Sequence, residues 1–266
     1  ERDGWISYDA ALAEASADFT PVRTRSDDPC MLYFTSGTTA HPKMVLHTHA
    51  SYPIGHLVTG RFWLDLRPRD LHWNLSDNGW AKAAWSSLFG RFDAGQTLAT
   101  LERYPITSFC AAPTVYRMLV LEDLANFKPA ALRSCVGAGE PLNPEVIETW
   151  REATGMTIRD GYGQTESAVL VANFPPVPVR VGAMGKPTPG FDVAIIDDEG
   201  RELPPGEEGH IGVRIKPGRP VGLFHGYYGD EALTNEVFAG EWYYTGDRAR
   251  RDEDGYFWFV GRADDV

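Results

Sequence analysis

This chain changes texture near residue 173, and that change limits its fold more than any other feature. Before it, short apolar runs alternate with stretches of helical spacing. After it, beyond the breaker cluster Pro175, Pro176 and Pro178, residues 180–260 are rich in Gly, Pro and β-branched residues. Strand–helix alternation predicts a mostly parallel α/β sheet, because parallel neighbours need a crossover that a helix supplies. The second texture predicts a β-sheet or distorted barrel packed beside it. The expected fold is therefore α/β, with an α/β subdomain over residues 1–175 and a β-rich one over 176–262.

The local patterns fill in this frame. A helix is expected near 8–18, and a buried strand at 31–34 running into Thr35-Ser36-Gly37. Helical spacing runs over 47–62. Amphipathic helices at 96–103 and 114–124 flank a strand at 106–111, and a further strand covers 132–136. A helix at 144–154 has Asn143 to cap it and Pro144 at its start. In the second half, Asp197-Asp198-Glu199-Gly200 reads as a hairpin turn between 193–196 and 201–203. Residues 210–216 alternate apolar and polar, and an aromatic strand at 256–260 is entered through Asp254-Gly255.

Of 266 residues, 43% are hydrophobic, enough for a sizeable core. The net charge of −12 argues against non-specific nucleic-acid binding, which needs a basic footprint, but not against a nucleotide met by a few local groups. Three widely spaced cysteines, Cys30, Cys110 and Cys135, suit reduced, buried thiols in a cytoplasmic protein rather than a zinc or disulfide framework. No apolar run reaches the 18 or so residues of a membrane span. No signal peptide is visible, and the first residue is Glu1 rather than Met.

Five short motifs carry candidate chemistry. In Thr35-Ser36-Gly37-Thr38-Thr39-Ala40-His41-Pro42-Lys43, hydroxyls, a glycine and a lysine follow a strand. Backbone N–H groups of such a loop can face phosphate oxygens while Lys43 supplies charge. The same composition suits an ordinary Ser/Thr/Gly turn, and it is not a Walker loop. In Asp160-Gly161-Tyr162-Gly163-Gln164-Thr165-Glu166, the glycines permit unusual backbone angles or close approach. Tyr162 offers a flat face to a base, Thr165 a hydroxyl, and Glu166 a carboxylate for magnesium beside phosphates; a tight turn around a buried tyrosine is the alternative. Gly137-Ala138-Gly139-Glu140-Pro141 follows a strand and precedes a helix, as a crevice-lining loop does. Tyr243-Tyr244-Thr245-Gly246-Asp247 places a carboxylate that can accept two ribose hydroxyls, although a capped turn is commoner. Gly261-Arg262 offers a guanidinium to ribose or phosphate.

In this order, the motifs resemble the ANL superfamily of adenylate-forming enzymes: acyl-CoA synthetases, peptide-synthetase adenylation domains and luciferases. Gln164, where adenylation domains usually carry Pro, and Gly-Ala-Gly-Glu-Pro at 137–141 look like the medium-chain and acetyl-like acyl-CoA synthetases. The resemblance implies the fold of that superfamily's large N-terminal domain. Residues 263–266 would be a hinge stub with Asp264 as pivot, and the small C-terminal domain would be absent. It implies ATP-dependent activation of a carboxylic acid to acyl-AMP, then thioester formation with CoA. Loading of a carrier protein and a catalytically degraded nucleotide-binding homologue are the alternatives.

By the same resemblance, Thr35, Ser36, Gly37, Thr38, Thr39 and Lys43 would hold the β- and γ-phosphates. Thr165 would meet the α-phosphate or the carboxylate, and Glu166 would hold Mg2+. Tyr162 with Gly139, Glu140 and Pro141 would enclose adenine, with Asp160, Gly161, Gly163 and Gln164 in the same nucleotide-binding set. Asp247 and Arg262 would fix the ribose. Trp80, in a segment resembling the family's acyl-pocket segment, and Gly137 would line the acid, although a core role suits Trp80 equally. The implied ligands are ATP/AMP, Mg2+, CoA and a small carboxylic acid; a homo-oligomer is compatible. Two departures stand out. Ala40 replaces the usual loop glycine and tolerates positive φ poorly. Leu88-Phe89-Gly90 abuts Arg91-Phe92-Asp93 where the family has an intervening strand and loop, so residues are expected to be missing between Gly90 and Arg91.

Overall fold

The computed structural model describes residues 4–35, 42–75 and 92–263. In chain order it contains α1 (Tyr8–Glu14), β1 (Pro29–Thr35), β2 (Lys43–Thr48) and α2 (Ser51–Val58), which runs into a π turn (Thr59–Trp63). Then come β3 (His72–Leu75), α3 (Ala94–Arg103), β4 (Ser108–Ala111), α4 (Pro113–Leu119), β5 (Ser134–Ala138), α5 (Pro144–Thr154), β6 (Ile158–Gln164), β7 (Ala168–Ala172) and β8 (Lys186–Pro187). The last elements are β9 (Val193–Ile196), β10 (Glu208–Arg214), β11 (Gly226–Tyr227), α6 (Glu231–Val237), β12 (Phe238–Ala239), β13 (Trp242–Arg251) and β14 (Phe257–Arg262).

The largest sheet has the order β3-β4-β5-β6-β7-β8. Its first four strands are parallel, and β7 and β8 add antiparallel. β4 and β5 are buried at every position, as strands covered on both faces must be. α5 shows why the crossovers form where they do. The Asn143 side chain accepts from Glu145 N at 2.9 Å, Pro144 opens the first turn, and Gly155 ends the helix at φ 73°. Its buried Val146, Ile147 and Trp150 pack with Phe109 and Tyr116, the two largest groups facing them from β4 and α4. Each such side chain contributes about 1.5–3 kcal/mol of burial.

The β-rich half is an antiparallel sheet, β12-β13-β10-β9, with β14 on the other part of β13. A three-stranded sheet, β1-β2-β11, sets β2 between β1 and the pair Gly226–Tyr227. Val45, Leu170, Phe224, Tyr243 and Phe257 share one buried core across these sheets. The mostly parallel sheet beside a β-rich half is the expected architecture. The sheets draw strands from both sides of residue 175.

Several local expectations need correction. β1 is an edge strand with no buried residue, and Phe34 is 66% exposed, because the three-stranded sheet covers it on one edge only. Helical spacing at 47–62 overran a strand: His47 and Thr48 close β2, and α2 starts at Ser51, whose Oγ accepts from Thr48 N at 2.9 Å. Cys30 is exposed; Cys110 and Cys135 are buried as expected. Among the described residues no helix is long and apolar enough to cross a membrane.

Candidate active site

Strand pairing brings Thr35 opposite Lys43, at the facing ends of antiparallel β1 and β2. Ser36, Gly37, Thr38, Thr39 and Ala40 lie outside the described residues, as do Trp80, the Gly90–Arg91 junction and Asp264. Thr35 and Lys43 line a cleft of about 700 Å3, shared with Gln164, Thr165, Glu166 and Arg262. That volume lies within the range of small-molecule sites. The cleft sits at the C-terminal end of parallel β6, where ligands of α/β sheets bind.

The second motif ends β6 and turns into β7. Its two central glycines are needed for close approach, since neither has positive φ. A Cβ on Gly161 would lie 2.7 Å from the Trp63 indole, and one on Gly163 would overlap the Ala168 carbonyl oxygen. Asp160 is buried, and its carboxylate accepts from Gly161 N at 2.8 Å, which shapes the strand end rather than the cleft wall.

Gln164 joins the two halves of the chain. Its Nε2 donates to the Thr245 carbonyl and to Asp247 Oδ2, each at 2.8 Å, and its Oε1 accepts from the Tyr243 hydroxyl at 3.0 Å. Tyr162 donates to the same Asp247 Oδ2 at 2.6 Å. On the other side, β13–β14 pairing sets Arg262 opposite Asp247, with Nε 3.7 Å from Oδ1. Asp247 is 5% exposed and stands directly behind the cleft wall that Gln164 and Arg262 form.

Glu166 is buried at the cleft floor, where it accepts the Tyr227 hydroxyl at 3.0 Å. Burial raises its carboxyl above the usual carboxylate range, against the opposing pull of Lys43. Thr165 is fixed from behind by His47, whose Nε2 lies 2.7 Å from the Thr165 carbonyl. That carbonyl only accepts, so Nε2 carries the proton. Nδ1 then accepts from Ser51 Oγ at 3.1 Å. Burial lowers the imidazole's pKa and keeps this tautomer neutral.

The third motif lies beside the cleft and is not among its lining residues. Ala138 pairs with Gly161, so the loop leaves β5 next to the tyrosine motif. Gly139 takes φ 112°, a conformation that favours glycine. Glu140 is held by α4, accepting from Thr114 Oγ1 at 3.1 Å and Arg117 Nη2 at 2.7 Å; Pro141 is exposed. Gly137 is buried within β5, between Leu142 and Ile158.

Tyr227 and His47 touch the site but were not expected from the sequence, whereas Tyr243, which bonds Gln164, belongs to the motif that carries Asp247. Tyr227 reaches Glu166 across 61 residues and His47 reaches Thr165 across 118. Only His47 left a local trace, because it shares the inward face of β2 with Val45. Among the described residues no group of three His, Cys, Asp or Glu side chains is placed to hold a metal.

The family described as "AMP-binding enzyme" matches residues 1–228. The mitochondrial acyl-coenzyme A synthetase ACSM3 of Pongo abelii is 50% identical over 279 aligned positions, covering 100% of this chain and 48% of the relative. Human mitochondrial acyl-coenzyme A synthetase ACSM5 is 47% identical with the same coverage. The chain thus spans about half the length of the curated relatives it matches. The alignments are longer than its 266 residues, so these relatives carry positions with no counterpart here. Among solved structures, the Brucella canis acyl-CoA synthetase superposes with TM-score 0.88 at 36% identity, covering 100% of this chain and 51% of that one. The anthranilate CoA ligase AuaEII, in complex with anthranoyl-AMP, gives 0.86 at 32%, covering 100% and 53%. With this family matched over most of its length, the chain belongs to the AMP-binding enzymes, the adenylate-forming superfamily that its motifs resemble.

Proposed function

We propose that this chain is the nucleotide- and acid-binding part of an AMP-forming acyl-CoA synthetase, an acid–thiol ligase that makes acyl-AMP from ATP and a carboxylic acid and passes the acyl group to CoA. The observation that carries the reading is the single cleft walled by Lys43, Gln164, Thr165, Glu166 and Arg262, with Asp247 bonded behind it. Such a reaction brings a carboxylate anion against a polyphosphate, so its demand is positioning and charge rather than a protein nucleophile. Lys43 and the hydroxyl loop that it closes would hold the terminal phosphates. Thr165, braced by His47, would meet the α-phosphate or the acid. Tyr162 and the 139–141 loop would flank adenine, and Asp247 with Arg262 would hold the ribose. Gly137 and Trp80 are proposed for the acid.

Magnesium fits the donor set. Mg2+ usually takes one or two carboxylates plus substrate phosphates and water, and Glu166 is one buried carboxylate in a phosphate-sized cleft. When bound, it would neutralise charge on the phosphate oxygens. A reducing compartment suits the free thiols Cys110 and Cys135, the latter pushed up to about 12 by burial. Subcellular fractionation would separate the cytoplasm expected from the sequence from the mitochondrion in the relatives' names.

The test is acid-dependent ATP–pyrophosphate exchange by the full-length protein across a panel of short, medium-chain and aromatic acids, followed by thioester formation with CoA or with a holo carrier protein. Exchange with at least one acid and thioester with free CoA is the expected result. Exchange without CoA transfer would point to the carrier-loading alternative, and no exchange with any acid despite ATP binding would point to a degraded homologue.

A further inference from the structure

Lys43 and Glu166 line the same cleft with opposite charges, yet among the described residues no ion pair joins them. Tyr227 stands between. Its hydroxyl donates to Glu166 Oε1 at 3.0 Å, and the Lys43 ammonium lies over its ring, 5.5 Å from the centroid. The ring is rigidly seated. It is 6% exposed, sits on two-residue β11 opposite Val45 of β2, and meets Phe224 edge-on at 5.0 Å. The preceding Gly226 fits closely: a Cβ there would fall 2.9 Å from the Thr234 methyl, which would have to shift. The Phe224 amide, three residues earlier, donates to the Glu166 carbonyl at 2.7 Å and ties the Tyr227 strand to the Glu166 turn.

We infer that Tyr227 is a positioning residue, a spacer that holds the metal-binding carboxylate with its hydroxyl and the phosphate-binding lysine on its ring face, so that neither neutralises the other before nucleotide arrives. The inference rests on the nucleotide reading above. An unscreened Lys–Glu pair a few ångströms apart in a partly buried cleft attracts strongly, and a collapsed pair must be broken before either group can serve phosphate or metal. A tyrosine divides the two tasks: the hydroxyl satisfies a buried carboxylate that would otherwise seek the lysine, and the ring gives the ammonium a weak resting place that phosphate easily outcompetes.

The two halves of the spacer separate in calorimetric titrations of ATP, once with excess Mg2+ and once with EDTA, on wild-type protein, Tyr227→Phe, Tyr227→Leu and Tyr227→Leu/Glu166→Gln. Metal-free ATP reads the lysine side; the gain on adding Mg2+ reads the carboxylate side. Tyr227→Phe keeps the ring, so metal-free affinity stays within about twofold while the Mg2+ gain falls about tenfold, the usual loss when a metal ligand's outer partner is removed. Tyr227→Leu loses both, because Lys43 closes on Glu166, and the added Glu166→Gln returns metal-free affinity toward wild type by removing the lysine's competing partner. A general loss of stability would not produce this split. Equal metal-free and Mg2+ losses in Tyr227→Phe would overturn the inference, as would wild-type metal-free affinity in Tyr227→Leu or no recovery in the double variant. If the leucine variant does not fold, Tyr227→Phe alone decides, since its ring keeps the packing on Phe224. Wild-type protein that binds ATP in neither titration would remove the nucleotide reading itself, a result distinct from wild-type binding with unaltered variants.

Discussion

Replacing Asp247 tests the joint between the two halves of the site, and the geometry separates its structural part from its ligand part. The carboxylate is 5% exposed and accepts from the Tyr162 hydroxyl at 2.6 Å and Gln164 Nε2 at 2.8 Å through one oxygen, Oδ2. Asp247→Ala strands both donors. A buried donor without a partner costs about 1–3 kcal/mol, so partial relaxation leaves a loss on the order of 2–4 kcal/mol. For a domain of this size that lowers Tm by roughly 5 °C or more. Asp247→Asn keeps one acceptor oxygen of the same shape for both donors and forfeits only the charge-assisted share, on the order of 1 kcal/mol. The nucleotide part does not separate in this way. Asparagine cannot both accept from the ribose and keep its amide hydrogens away from Arg262, whose Nε lies 3.7 Å from Oδ1. Both variants should therefore lose AMP affinity by on the order of 10- to 100-fold, or about 1–3 kcal/mol. Urea denaturation measures the first effect and calorimetric AMP titration the second. Asparagine and alanine variants of equal stability would refute the hydrogen-bond argument, and unchanged AMP affinity in the alanine variant would refute the ribose assignment.

Two further outcomes follow from the same geometry. Burial holds the His56 imidazole down to about 4. The folded state therefore refuses a proton that the unfolded chain takes up near 6.5, so this contribution is complete above about pH 6.5 and is lost as pH falls toward 4, by on the order of 3 kcal/mol. Urea midpoints across that range should decline, and less steeply in His56→Gln; parallel slopes would exclude His56 as the source. The motif glycines differ in what they meet. Gly163→Ala drives a Cβ into backbone at Ala168, so it should cost more than about 3 kcal/mol. Gly161→Ala presses on the Trp63 side chain rather than on backbone, for about 1–3 kcal/mol. The ordering of their urea midpoints checks this.

The features that the sequence announced are those whose causes are local. Asn143-Pro144, apolar residues at 146, 147 and 150, and Gly155 define α5 to the residue because capping and amphipathicity act within one turn. The hairpin at 197–200 was equally clear: Asp197 accepts from the amides of Glu199 and Arg201, and Gly200 takes φ 78°. The exposure of β1 could not be read, because whether Leu32 and Phe34 are covered depends on which distant strands join the sheet. His47–Thr48 was absorbed into a helix because its neighbours Ser51, Gly55 and Thr59 continue a helical period, and nothing in that period marks where β2 stops. The motif residues were visible as chemistry, but their partners were not. Gln164 is a plain polar side chain until Tyr243, Thr245 and Asp247 are brought to it from some 80 residues away.

That long-range assembly produces a cleft whose charge the individual motifs do not suggest. The cations Lys43 and Arg262 line it, but so do Glu166, Asp198 and Glu236, with Asp247 behind Arg262 and His210 already paired with Asp198 at 2.8 Å. Counted this way the described wall is net negative, in keeping with a chain of net charge −12, and is a poor host for a bare polyphosphate. Two consequences follow for the proposed reaction. The phosphates would lie where Thr35 and Lys43 meet, and a divalent cation at Glu166 would offset the carboxylates that share the wall. Asp198 and Glu236 on the same wall would repel phosphate placed beside them, the like-charge rejection that gives an interface its register.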